Sequence, residues 1–307
     1  MLGGRISSLV VVSHPEKVMY PDSGVTKGEV AEYYHRAAEV MLPHLVDRPL
    51  TIQRFPQGID KQGFMQKHAG KGFPDFIERI ELAKQDGTVN YPVIRDEIGL
   101  AYLANQNTIT FHIWTARLPL LERPDRLVLD LDPPKGGDPP REAARAAREV
   151  MEDIGLSPGI MTTGSSGYHV VALIEQEHDY DAVGRAARLL AGVVAARHPD
   201  ETTTEFLKKD RAGRVFVDWL RNRWAQSTVC PWSLRPRPGA PVAMPISWDE
   251  LDDTDPQRWN LQNAPERLGL DDPWPVASPL DLEAVQGLAE AHDVSADEPF
   301  DRFGRKR

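Results

Sequence analysis

The chain is poor in cysteine and has no long apolar run. Cys230 is the only cysteine among 307 residues, which excludes an internal disulfide and fits a reducing compartment. The N-terminal apolar run LVVV is too short for a signal-peptide core or a membrane span, so a cytoplasmic protein with no membrane partner is expected. Internal repeats, long low-complexity segments and a clean linker in the first half are also missing. At this length one large domain or two small ones can bury an ample core.

An overall positive charge is lacking too. The net charge is −10, which taken whole argues against a nucleic-acid partner. The acidity is local, however. Residues 249–301 hold 15 acidic and two basic side chains, and residues 302–307 add four positive charges, so residues 1–248 carry only about −1. Between Lys208 and Arg237 there are eight basic and two acidic residues. Such a run is ordinarily a solvated face; here it permits a phosphate-bearing partner without requiring one.

What is present is a regular alternation. From residue 127 the pattern predicts a strand at 127–132, a helix at 141–154 closed by Gly155, strands at 159–162 and 168–174, a helix at 181–197 and a strand at 214–219. That β-α-β-β-α-β order is the ferredoxin-like (RRM-like) arrangement, so an α+β fold is expected. In it the first strand lies between the third and fourth, which brings Asp130, Asp132, His169 and Asp218 together from neighbouring strands. The expected division is an N-terminal α/β module over 1–126, containing a helix of about 27–40 and packed on a catalytic core over 127–248. An acidic C-terminal segment over 249–307, with a short helix near 281–292, is expected to pack on the core.

LVLDLDPP, residues 127–134, ends an apolar strand with two carboxylates. Alternation puts Asp130 and Asp132 on one face and Leu127, Leu129 and Leu131 on the other, with the two aspartate Cα atoms about 6.6 Å apart. Like charges this close repel and lose hydration when partly buried, costs that divalent cations between them offset. Asp218 in VFVDW closes another strand in the same way. Three carboxylates suit two Mg²⁺ or Mn²⁺ ions about 3.5–4 Å apart, which can activate a hydroxyl and neutralise a leaving pyrophosphate. The turn TTGSSGYH offers backbone N–H groups to phosphate oxygens ahead of His169. Arg235 and Arg237 of SLRPRP share a face if that segment is extended, an arrangement suited to a triphosphate. Each feature also has a plainer reading: a solvated acidic turn, a tight strand connection with an edge histidine, and surface arginines.

Thr26-Lys27-Gly28-Glu29 fits a capping box with Thr26 as N-cap. Lys27 at the first helical position opposes the helix dipole, and Gly28 weakens the helix. An anion resolves both: first-turn N–H groups, an open approach past Gly28 and the Lys27 ammonium would bind a phosphate, with Lys17 in reach. The competing reading is a solvated lysine at a frayed helix start.

The order of motifs separates families that use D-x-D. A haloacid-dehalogenase-type phosphatase has Thr or Val where Pro134 stands, and a polymerase-beta-type nucleotidyltransferase puts Gly-Ser before its D-x-D. Here the small-residue turn ending in His follows D-x-D, and hydrophobic-Asp closes the last strand. This order resembles the archaeo-eukaryotic primase superfamily, most closely the polymerase domain of bacterial DNA ligase D and its stand-alone primase-polymerase relatives. The matching stretches are HPEKVMYPDSGVTKGEVAEYY, MLPHLVDRPLTIQRFPQG, FHIW, LVLDLDPP, TTGSSGYHVV, VFVDW and CPWSLRPRPGAPVAMPISWDEL. No ligase or nuclease segment is recognised, so the free-standing form is expected.

The resemblance implies template-directed nucleotide addition at DNA ends and short gaps, with ribonucleotides and Mn²⁺ favoured. It makes Asp130, Asp132 and Asp218 the metal ligands and catalytic residues. It places His112, His169, Arg235 and Arg237 around the incoming nucleoside triphosphate, with Thr163 and Ser165 beside its phosphates or sugar. Lys17 and Lys27 match a pair that holds a downstream 5′-phosphate, Phe64 an aromatic near the template strand, and Arg54 a DNA contact. The expected partners are gapped or broken double-stranded DNA, NTP or dNTP, and a separate ATP-dependent DNA ligase. A monomer in the bacterial cytoplasm, at the nucleoid, is expected. Four positions depart from the family pattern: Ser166 for a lysine, Met65 for a second aromatic, Gln53 for a basic residue and Arg221 for a glutamine. These favour a gap-filling specialist over an end-joining subunit. A two-metal phosphoesterase, or a DNA-end-binding module that has lost catalysis, are the other classes this composition allows.

Overall fold

The computed structural model describes residues 5–7, 10–84 and 87–296. The basic end at 302–307 and the last of the acidic segment lie outside the described residues. The chain forms two compact units: Met1–Trp114 with Ser227–Met244 and Gln257–Asp272, and Thr115–Gln226 with Pro245–Pro256 and Pro273–Arg307. This division differs from consecutive segments at 1–126, 127–248 and 249–307. SLRPRP belongs to the first unit, and the acidic segment is shared between both. Strand pairing at long range makes the difference, and a contiguous hydrophobic pattern does not reveal it. Among the described residues no helix is long and apolar enough to cross a membrane.

In the first unit β1 (Arg5–Ser7) pairs with β2 (Val10–Val11), and β3 (Val18–Tyr20) with β4 (Val25–Thr26). Thr26 caps α1 (Lys27–Arg36): its hydroxyl accepts the Glu29 N–H at 3.3 Å, and the Glu29 carboxylate accepts the Thr26 N–H at 2.7 Å. The one helix expected over 27–40 is two. The chain breaks at Ala37 and continues as α2 (Ala38–Leu45), whose Ala38, Met41 and Leu45 form their own buried face. Next come β5 (Leu50–Arg54), β6 (Phe64–Gln66), the antiparallel pair β7 (Glu78–Lys84) and β8 (Gly87–Val93), α3 (Glu97–Asn105) and β9 (Thr108–Ile113). Their sheet runs β6-β5-β9 and is completed by a distant strand, Thr228–Val229. Tyr34 sits edge-on to Phe111 at 5.0 Å, and its hydroxyl accepts the Leu234 N–H at 3.0 Å, fastening the late segment into the same core.

The second unit is built on β10 (Arg126–Asp132), α4 (Arg141–Glu152), β11 (Gly159–Thr162), β12 (Tyr168–Leu173), α5 (Tyr180–Arg197), β13 (Thr202–Thr203) and β14 (Val215–Asp218). The Thr228–Val229 strand of the first unit is β15; β16 (Pro245–Ile246) and α6 (Leu282–Glu290) complete the second. The sheet order is β13-β14-β10-β12-β11-β16. Its inner four strands have the ferredoxin-like order expected from the sequence. β10 is hydrogen-bonded on both sides and buried along nearly its whole length, which explains its run of leucine and valine. α4 ends where Gly155 takes φ +80°, the left-handed residue that commonly closes a helix. Asp179 caps α5 by accepting the Ala182 N–H at 2.8 Å.

The turn between β11 and β12 presses against β10. A Cβ on Gly167 would lie 1.9 Å from the Leu131 carbonyl oxygen, so only glycine fits there. Gly167→Ala is expected to cost several kcal/mol, on the order of 2–4, because a backbone atom must move. Gly72→Ala, with nothing within 4 Å of the new Cβ, should change stability by less than about 0.5 kcal/mol. Urea unfolding of both variants checks this; a Gly167→Ala protein as stable as wild type would contradict the close approach.

Candidate active site

Strand register builds the site. Asp130 on β10 is directly opposite His169 on β12 and Asp218 on β14. Opposed residues of antiparallel strands project to the same face, so His169, Asp130 and Asp218 form one row across three strands. His169 therefore lies inside the sheet, not on its edge. Asp132, two residues on, shares the face. One oxygen from each of the three carboxylates lies within 4.8 Å of the others. Asp130 and Asp218 are 7% and 5% exposed, and Asp132 is half-buried.

The chain's own groups hold part of this charge. His169 Nε2 lies 3.3 Å from Asp130 Oδ1, and the Leu220 N–H donates to Asp218 Oδ1 at 2.8 Å. Arg221 donates from Nε to Asp130 Oδ2 at 3.1 Å, and its Nη2 lies 3.2 Å from Asp218 Oδ2. In the sequence Arg221 stands out only as a departure from a family pattern. Its spacing of three residues from Asp218 is the available signal, since a helical turn after β14 brings the two together.

Burial and neighbouring charge set the three carboxyls apart. Burial pushes Asp132 up to about 6, with the negative charges of Asp130 and Asp218 adding to it. Burial also raises Asp218, and the Asp130 charge adds while Arg221 opposes. At Asp130 burial acts upward as well, but the charges and hydrogen bonds of His169 and Arg221 hold it well below the usual carboxylate range. The donor set is all carboxylate oxygen, the chemistry of Mg²⁺ and Mn²⁺. Asp132, which gives up its proton only near pH 6, is the member most in want of a cation.

The glycine-serine turn lies in the same unit. The Thr163 hydroxyl organises it, accepting the Ser165 and Gly167 N–H groups at 3.3 Å and donating to the Gly167 carbonyl at 2.9 Å. Thr163 is buried and Ser165 half-buried. Gly164 takes φ +62° at the apex.

The remaining expected site residues belong to the first unit. His112 lies on β9, opposite Thr51 and Val229. Arg235 is half-buried and Arg237 exposed. The Arg237 N–H donates to the Arg235 carbonyl at 2.9 Å, so the chain turns tightly at Pro236, and the extended segment that would align the two side chains does not form. Arg54 and Phe64 are directly opposed on β5 and β6, with the guanidinium carbon 5.5 Å from the ring centre. Phe64 is 46% exposed. Arg54 is anchored by its Nε donating to the Gln106 carbonyl at 2.7 Å and Nη1 to Gln66 Oε1 at 2.8 Å.

The start of α1 differs from the sequence expectation. The Lys27 and Gly28 N–H groups donate to the Lys17 and Pro15 carbonyls at 2.7 and 2.8 Å, and the Glu29 N–H goes to Thr26. These first-turn donors are spent on the chain itself. The approach past Gly28 is closed as well, since a Cβ there would lie 3.1 Å from the Pro15 oxygen. What persists is ammonium charge. Lys27 Nζ donates to the Ser13 carbonyl and hydroxyl at 2.7 and 2.8 Å, and Lys17 Nζ donates to the Pro56 carbonyl. Burial, then the charges of Lys17 and Arg54, bring Lys27 down to about 8.

The family model described as the LigD primase-polymerase domain matches residues 26–274. The chain belongs to the LigD primase-polymerase family. This is a family of nucleotidyltransferases, which bears out the enzyme class and the α+β fold expected from the motifs. The multifunctional non-homologous end joining protein LigD of Mycolicibacterium smegmatis is 34% identical over 279 residues, 90% of this chain and 36% of that protein. LigD of Pseudomonas aeruginosa is 35% identical over 271 residues, 86% of this chain and 32% of that protein. The chain thus spans about a third of the length of these relatives. Among solved structures, the polymerase domain from Mycobacterium tuberculosis ligase D in complex with DNA aligns with a TM-score of 0.79 at 34% identity, covering 87% of this chain and 96% of that one.

Asp132 gives this LigD-family site a pH signature. A carboxyl with a higher pKa folded than unfolded stabilises the fold while protonated, and that contribution is lost as pH rises from about 4 through the folded value. Between pH 5 and 7.5 metal-free wild type should therefore lose melting temperature relative to Asp132→Asn, on the order of 2–4 °C. Mn²⁺ should restore more stability at pH 7.5 than at pH 5. Parallel melting curves for wild type and variant would contradict the assignment.

Proposed function

We propose that this chain is a DNA-directed primase-polymerase that adds nucleotides, ribonucleotides preferentially, to a primer 3′-OH at short gaps or ends during DNA repair. The observation that carries this reading is the row of Asp130, Asp218 and His169 with Asp132 beside it, set in a chain of this family. Asp130, Asp132 and Asp218 would hold two divalent ions, Mn²⁺ or Mg²⁺, which when bound would lower the pKa of the 3′-OH and neutralise triphosphate charge. His169 orients Asp130. The glycine-serine turn, held in shape by Thr163, which accepts the Ser165 and Gly167 N–H groups, offers its Gly164 and Ser166 N–H groups to phosphate oxygens, with Ser165 beside the sugar. His112, Arg235 and Arg237 are assigned to the incoming nucleoside triphosphate, and Arg54 and Phe64 to the template DNA. The ammonium groups of Lys17 and Lys27 are assigned to a downstream 5′-phosphate, by charge and not by helix N–H groups. On this reading the protein acts as a monomer in the cytoplasm, at the nucleoid, with an ATP-dependent ligase activity sealing the product.

Primer extension on a gapped, 5′-phosphorylated duplex tests the reading. Asp130→Ala, Asp132→Ala and Asp218→Ala should each lower the rate by about 10²–10³-fold or more, without loss of the folded state. Ribonucleotides should be favoured over deoxynucleotides by roughly 5- to 150-fold, the worth of pairing a buried polar group with the 2′-OH. Near-normal extension by two of the three variants at saturating Mn²⁺ would reject the metal assignment, and equal use of both sugars would reject the preference.

Binding to gaps carrying 5′-phosphate or 5′-hydroxyl tests the lysines separately. At one fixed salt concentration, Lys17→Ala/Lys27→Ala should lose the discrimination that wild type shows, yet extend an ordinary primer-template nearly as well. The wild-type discrimination should also shrink above about pH 8, where Lys27 gives up its charge. Full discrimination by the double variant would remove the site.

A further inference from the structure

Arg221 holds the carboxylate oxygens that a cation needs. Its Nε donates to Asp130 Oδ2 at 3.1 Å, and its Nη2 lies 3.2 Å from Asp218 Oδ2. The other oxygens of these two residues are engaged by His169 and by the Leu220 N–H. Among the described residues no group donates a hydrogen bond to the Asp132 carboxylate. A divalent ion shared by Asp130 and Asp218 would need oxygens that the guanidinium already holds, so the two would compete for them.

The backbone that carries Arg221 is fixed while the side chain has a way out. Leu220–Asn222 forms a single 3₁₀ turn. Asn222 is fully buried: its Nδ2 donates to the Val128 and Trp219 carbonyls at 2.7 and 2.8 Å, and its Oδ1 accepts the Val128 N–H at 2.7 Å. That sews the turn to β10. The Arg221 side chain is 35% exposed, so it can swing to water without disturbing the turn.

We propose that Arg221 is a tethered cation that competes with the divalent metal for Asp130 and Asp218, keeping the metal-free site neutralised and setting its metal affinity. The inference rests on the metal-dependent reading of the triad. It predicts weak metal binding in the absence of nucleotide, since each binding event must first break the Arg221 pairs. It also gives the departure from glutamine at this position a physical consequence.

The test is Mn²⁺ titration of the full chain, without nucleotide or DNA, by the electron paramagnetic resonance signal of free Mn²⁺. Wild type, Arg221→Lys, Arg221→Gln and Asp132→Ala are compared at one salt concentration. Removing a unit positive charge this close to the site should tighten Mn²⁺ binding by about tenfold or more in Arg221→Gln. Arg221→Lys, which keeps the charge but loses the two-carboxylate fork, should fall between it and wild type. Melting adds a readout that a purely structural role would not give. Arg221→Gln should melt below wild type without metal and regain or pass it at saturating Mn²⁺. If Arg221→Gln does not fold without metal, the comparison of Arg221→Lys with wild type still decides. Binding that depends on Asp132 but is no tighter in either arginine variant overturns this inference alone. Binding that is equal in wild type and Asp132→Ala, or absent from every variant, overturns the metal reading and this inference together.

Discussion

Three carboxylates share one face of a sheet, two on its central strand β10 and one on the neighbouring β14, and the polar contacts around them answer to that. β10 is flanked on both sides, and its register sets Asp130 against His169 and Asp218. Burying like charges costs far more than packing the same volume with apolar side chains, unless each charge is paired and hydrogen-bonded. The chain meets the cost in part, with one histidine, one arginine and one backbone N–H. Asp132 receives none of these, and it is the carboxyl whose proton stays on to about pH 6. The geometry is thus unfavourable as an apolar core and suited to a cation.

The scaffold keeps this unfavourable cluster from relaxing. Asn222 ties the turn after β14 to the backbone of β10, so the backbone that carries Asp218 and Arg221 cannot drift from Asp130. On the other side the Gly167 backbone lies so near the Leu131 carbonyl that no side chain fits between them. Thr163 closes that turn with its hydroxyl. Truncating one partner of a buried ion pair typically costs about 3–5 kcal/mol, which makes the polar row as demanding a constraint as the leucines on the opposite face of β10.

Much of this was legible in the sequence because it is local. Alternation in LVLDLDPP assigns the faces of β10, the order of strands and helices gives the sheet, and Gly155 and Thr26 mark helix ends that the structure keeps. Features made by distant segments were not legible. The sequence cannot show that Thr228–Val229 joins β9 or that Pro245–Ile246 joins β11, and so the units interleave where consecutive domains were expected. The α1 amides looked available because nothing in TKGEV reveals that the Lys17 and Pro15 carbonyls return to them. Nothing in SLRPRP shows whether the segment is extended; a hydrogen bond between the neighbours of Pro236 bends the chain there. Arg221 was visible as an oddity, but only the turn after β14 shows that it faces two of the three aspartates.

Each unit gathers like charge, and the two clusters differ in sign. In the first unit Lys27 is buried near Lys17 and Arg54, and its pKa falls to about 8. In the second, Asp132 is pressed by Asp130 and Asp218, and its pKa rises to about 6. Local conflicts of this kind lower stability and persist where a ligand of opposite charge relieves them. Relief then has a definite proton balance. A cation bound at the triad would drive a proton off Asp132, a release that sets in as pH falls through about 6, so acid would weaken the cation's hold. A phosphate bound at Lys17 and Lys27, as proposed, would draw a proton onto Lys27, an uptake that sets in as pH rises through about 8, so base would weaken the phosphate's hold. Between these values both clusters are mostly ionised, so the pH range in which cation and phosphate bind best together is bounded below by a carboxylate and above by an ammonium. Burial and like-charge repulsion set both bounds in the unliganded chain.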